Sequence, residues 1–83
     1  MNIQLINGQF SASDLLELIT QLIQTKIKYH EDKISNKDSE EEIKYREEKI
    51  KRLQKELSEA RMYILSNNNR ITVSSSININ NTI

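Results

Sequence analysis

Cysteine, proline and tryptophan are absent from this chain, and glycine occurs once, at Gly8. Without cysteine there is no disulfide framework, no thiolate metal site and no thiol redox chemistry. With no proline and a single glycine, the two strongest breakers of a helical backbone are missing, so long uninterrupted helices are allowed. Net charge is lacking too: twelve basic residues cancel twelve acidic ones, so no global field draws the chain to nucleic acid or anionic lipid. Nor is there a long apolar run. The most apolar stretch, Leu15 to Ile23, covers nine residues and contains Glu17, Thr20 and Gln21, too short and too polar to span a bilayer. The opening Met1-Asn2-Ile3-Gln4-Leu5-Ile6 has neither the basic region nor the small-residue cleavage site of a signal peptide. A soluble cytoplasmic protein with no membrane contact is the expectation.

Four aromatic rings (three Tyr, one Phe) and 29% charged residues in 83 positions describe a solvated surface around a thin core. A single domain of this size lies near the limit at which one core offsets conformational entropy, so association of copies is expected before any motif is considered.

What the chain does have is an internal repeat. Residues 26 to 34 read Lys-Ile-Lys-Tyr-His-Glu-Asp-Lys-Ile, and residues 42 to 50, sixteen positions on, read Glu-Ile-Lys-Tyr-Arg-Glu-Glu-Lys-Ile. Six of nine positions are identical, Tyr29/Tyr45 and Lys33/Lys49 among them. Between the copies lies Ser35-Asn36-Lys37-Asp38-Ser39, whose turn chemistry folds two helices back on each other.

Taken in order, residues 2 to 6 alternate apolar and polar side chains, which predicts a short strand, and Asn7-Gly8 predicts a turn. Ser11 and Asp14 fit a capping box flanked by Phe10 and Leu15 as a hydrophobic staple, placing a first helix over 12 to 34. Its apolar seam is Leu16, Ile19, Ile23, Ile27, His30 and Ile34, with Leu15, Leu18 and Leu22 beside it over the first turns. After a turn at 35 to 39, a second helix over 39 to 66 carries the seam Ile43, Arg46, Ile50, Leu53, Leu57, Ala60 and Ile64, a heptad pattern with one polar interruption. Glu40/Lys44, Glu42/Arg46, Glu47/Lys51 and Glu48/Arg52 are spaced for ion pairs along it. Asn67-Asn68-Asn69 is expected to end the helix through a left-handed cap. Residues 70 to 79 alternate again and predict a second strand, with residues 80 to 83 as a disordered tail.

Closing the hairpin near residue 38 or 39 pairs residues whose numbers sum to about 77, which sets Ile34 against Ile43, Ile27 against Ile50 and Ile23 against Leu53. The same register sets His30 opposite Arg46 as a polar seam layer. The far end of the hairpin, residues 27 to 50, becomes a charged two-helix stalk. At the open end Leu15, Leu18, Leu22, Met62 and Leu65 lie outside the seam and form the expected oligomer interface. Both strands leave from that end, where they can pair antiparallel beside the helices.

Few constellations carry chemistry. His30, the only histidine, has Glu31 and Glu47 near it in this register; the trio falls short of a fixed-geometry metal site and fits a polar layer better. Tyr29 and Tyr45 flank the seam and are the candidates for recognition on the stalk, although such rings more often cover a seam edge. Lys49, Lys51, Arg52 and Lys55 are interleaved with Glu47, Glu48 and Glu56, which works against phosphate binding. A strand followed by two helices is also the order of the ribbon-helix-helix DNA-binding fold, but residues 1 to 10 contain no Lys or Arg.

The fold class expected is therefore mainly α: a long antiparallel, coiled-coil-like helical hairpin with a short strand before and after it, assembling into a four-helix dimer. The expected function is a non-catalytic, homo-oligomeric protein-interaction or scaffolding module, not an enzyme, with no cofactor and with a further protein partner. Two other readings compete: a small nucleic-acid-associated regulator, and a metal-binding protein centred on His30.

Overall fold

The computed structural model of the chain describes residues 1–67 and 70–82. Its elements run β1 (Asn2–Phe10), α1 (Ala12–Lys33), α2 (Glu40–Leu65) and β2 (Ile71–Asn78). The helices form the hairpin and the strands pair antiparallel as a two-stranded ribbon. The molecule is elongated and thin, 48 × 32 × 14 Å.

Each helix starts where a serine can satisfy an orphaned amide. Ser11 Oγ accepts from the Asp14 amide at 3.2 Å, and Ser39 Oγ accepts from the Glu42 amide at 3.2 Å. Glu40, Glu41 and Glu42 then occupy the positive end of the α2 dipole. The link between the helices is held from both sides: the Asp38 amide donates to the Ser35 carbonyl at 3.0 Å, and the Ser35 amide donates to Asp38 Oδ2 at 2.8 Å.

All the seam positions within the helices, on α1 from Leu16 to His30 and on α2 from Ile43 to Ile64, are buried or half-buried. The deepest apolar side chains are Leu15, Leu53 and Ile64. This is a thin core, and Leu15 and Ile64 place part of it at the open end, next to the ribbon.

Four local expectations need correction. First, β1 does not stop at Ile6 but runs to Phe10, and Asn7-Gly8 lie inside the strand instead of in a turn. Gly8 carries φ +129°, so its freedom is used to keep a strand in register opposite Val73. Second, the register shifts between Gln4 and Ile6, leaving Leu5 as the extra residue of a β-bulge. Ile3 and Ile6 stand three apart and would alternate onto opposite faces; the bulge sets both, with Phe10, on the face that carries Ile71, Val73 and Ile77.

Third, α2 ends by side-chain capping. Ser66 Oγ and Asn67 Nδ2 both donate to the Tyr63 carbonyl at 2.7 Å, and no described non-glycine residue has positive φ. Asn68 and Asn69, the rest of the expected cap, lie outside the described residues, as does Ile83 at the end of the expected tail. Fourth, the ion pairs found among the described residues are Lys28–Asp32 at 3.5 Å and Lys55–Glu59 at 4.0 Å, not the four acid-before-base pairs. Exposed carboxylates gain little from such contacts, and Arg46, one of the four bases, turns into the seam instead.

Candidate functional site

Three surfaces collect the residues singled out by sequence. The first is the open end of the hairpin. Here the structure separates the five expected interface residues. Leu15 is only 3% exposed and belongs to the core, so it has no surface left to offer a partner; its staple position next to Phe10 turns it inward. Leu18 is half-buried and Leu22 is exposed at 39%. Met62 and Leu65, by contrast, stand 72% and 62% exposed, with Tyr63 between them also exposed. Leu65 and Arg61 of α2 and Leu16, Thr20 and Gln24 of α1 line an open groove of about 750 Å³. Tyr63 escaped the sequence reading because it lies off the heptad seam, although its neighbours Met62 and Leu65 gave the signal.

The second surface is the stalk. Arg46 Nη1 lies 2.8 Å from His30 Nδ1. A guanidinium only donates, so Nδ1 accepts, and the proton of the neutral imidazole is assigned to Nε2. His30 is 8% exposed. Burial of the ring, followed by the nearby cations Arg46, Lys26 and Lys49, lowers its pKa from the ordinary 6.5. The ring of Tyr29 meets His30 edge-on at 5.4 Å.

Tyr29 and Tyr45 are both more than half exposed, and each is stacked by the lysine four residues on. Lys33 Nζ lies 5.5 Å from the Tyr29 ring and Lys49 Nζ 5.3 Å from the Tyr45 ring. The repeat thus writes the same cation–π pair twice. Arg46 adds a further contact, 5.8 Å above Tyr29. A hollow of about 340 Å³ at the tip is lined by Lys33, Asp38, Glu42, Tyr45 and Arg46 among others, a mixture of both signs.

A metal at His30 would have to displace the guanidinium from Nδ1, and among the described residues no group of three or more potential ligands is gathered in one place. In the basic patch, Lys49 is occupied with Tyr45 and Lys55 with Glu59.

The third surface is the ribbon, for which the sequence predicts antiparallel pairing beside the helices. Ile3, Leu5, Ile77 and Ile79 are exposed, and Met1 and Ile79 exchange backbone hydrogen bonds of 2.8 and 2.7 Å that extend the pairing past β2. No described helix is long and apolar enough to cross a membrane. No protein-family model matches the chain, and no curated protein or solved structure matches it.

Proposed function

We propose that the chain is a non-catalytic, homo-oligomeric interaction or scaffolding module, joined to a second copy through the open end of its helical hairpin and presenting the stalk to a partner protein. The observation that carries this reading is the exposed apolar surface of Met62 and Leu65 near the end of α2, where Leu65 and Leu16 line the groove of about 750 Å³. Fully burying a Leu or Met side chain stabilises by about 1.5–3 kcal/mol. Against a core in which only Leu15, Leu53 and Ile64 are buried apolar side chains, that surplus is large. Two hairpins placed base to base cover it as a four-helix arrangement about a two-fold axis. The stalk, with paired tyrosines and charges of both signs, is then the part left facing solvent.

The test is a pair of variants whose side chains lie outside the core, Met62→Glu and Leu65→Glu, followed by light scattering and circular dichroism. The reading expects the mass to halve while helical content is kept. Wild-type mass in the double variant would overturn it.

A further inference from the structure

The ribbon contains no charged side chain: residues 1 to 10 and 71 to 83 carry no Asp, Glu, Lys or Arg. It has only two strands, and a two-stranded sheet is marginal in water unless a third strand or a helix supports it. Natural edge strands are usually guarded by a charge, a proline or a bulge. The outer edge of β1 has such a guard, since the Leu5 bulge and the positive φ of Gly8 break the regular spacing of its outward groups. β2 has none of these devices.

The direction of its hydrogen bonds follows from the Met1–Ile79 pair. Because Ile79 both donates to and accepts from Met1, the odd-numbered residues of β2 address β1. The amides and carbonyls of Thr72, Ser74, Ser76 and Asn78 therefore point outward. Among the described residues no third strand receives them.

We propose that this edge pairs antiparallel with β2 of a second copy, about a two-fold axis at Ser75, so that two ribbons join into a four-stranded sheet. The proposal deepens the reading given above and rests on it, since it requires that the chain associate with itself.

The sequence around Ser75 is self-complementary in that register. Val73 meets Ile77 of the second copy and Ile71 meets Ile79, while Ser74 meets Ser76 and Thr72 meets Asn78. Apart from Ser75 at the axis itself, apolar side chains stay on one face and polar ones on the other, across both copies. Moving the axis one residue to Ser74 sets Val73 against Ser75 and loses that match. Ser75 facing itself is a non-hydrogen-bonded pair, the closer of the two antiparallel spacings, and a run of three serines at the axis leaves room for the approach. A second copy is favoured over a different protein because no side chain of the ribbon carries a charge with which to select one, and its own strand already supplies the complement.

The test uses the absence of native cysteine. In Ser75→Cys the sole thiol faces its own copy across the axis, at a Cα separation of about 4.5 Å, within disulfide reach. In Ser74→Cys the two thiols lie diagonally, about 7–8 Å apart, beyond it. With oxidised glutathione as acceptor of the two electrons and two protons, Ser75→Cys should form a covalent dimer at least about tenfold faster than Ser74→Cys. Ser76→Pro in the Ser75→Cys chain removes an outward amide that β1 does not use, and it should abolish the cross-link without loss of helix. Equal or faster cross-linking of Ser74→Cys, or cross-linking that survives Ser76→Pro, overturns the register. No cross-link in a chain that still scatters as a dimer overturns the strand pairing and leaves association through the helices standing. No cross-link in a monomeric chain removes both.

Discussion

Arg46 Nη1 and His30 Nδ1 lie 2.8 Å apart, and these two residues hold equivalent places in the two copies of the repeat. In an antiparallel hairpin built from a repeated segment, the position that maps onto itself faces its own equivalent across the seam. Two arginines there would repel. A neutral histidine and an arginine form an acceptor and a donor, so one of the three positions at which the copies differ is a position at which an identical arginine pair would be costly.

That pairing sets a titration. Because folding lowers the pKa of His30 from 6.5, the fold favours the neutral ring. The stability this contributes is present above pH 6.5 and is lost as pH falls through the lowered value. Protonation would place hydrogen on Nδ1 and a cation against Arg46, with Lys26 and Lys49 also nearby. As the only histidine, His30 can be followed by its own proton NMR resonance. Its midpoint should fall below 6.5 and rise in Arg46→Met; a midpoint unmoved by that substitution would contradict the pairing.

Leu53 is one of the few buried apolar side chains, so Leu53→Ala should cost about 2–5 kcal/mol. In a chain of 83 residues each kcal/mol lowers Tm by about 4–8 °C. Thermal denaturation should therefore find the variant largely unfolded near the wild-type midpoint. A loss of only a degree or two would mean that the seam is not where the structure puts it.

Gly8 has open space where a Cβ would sit, but its φ of +129° excludes ordinary side chains. Gly8→Ala should thus destabilise by strain alone, about 1–3 kcal/mol, with the larger share at the ribbon. Hydrogen exchange of the β1 and β2 amides, compared with those of the helices, reads this directly.

The two caps should behave alike. Ser11→Ala and Ser39→Ala each remove a 3.2 Å bond to a helix amide and should cost about 1 kcal/mol, whereas Ser13→Ala, in the first turn of α1 and exposed, should be close to neutral in urea denaturation.

The helices could be read from the sequence because their signals are local and repeated: a serine followed three residues later by an acid, then apolar residues every three or four. His30 and Arg46 fell into one layer for the same reason, since apolar positions on both sides set the register. The ribbon was harder. Asn7-Gly8 is strong turn chemistry, and only the partner strand, sixty-odd residues away, turns Gly8 into a strand residue opposite Val73. The bulge at Leu5 likewise depends on pairing with Ser75 and leaves no mark in the sequence of β1 itself. Leu15 is buried within the chain itself, which its spacing does not reveal, because a staple residue and an exposed stripe share the same helical spacing. Ion pairs were overestimated because spacing permits them and solvent dissolves them.

The most direct measurement for self-association is the absolute mass of the intact chain by light scattering, followed over a wide dilution series. The account predicts twice the 9.7 kDa of one chain, falling toward the single-chain value only on strong dilution and doing so earlier in Met62→Glu. A mass of one chain at every concentration would contradict it, and the apolar open end would then have to be covered by a different protein.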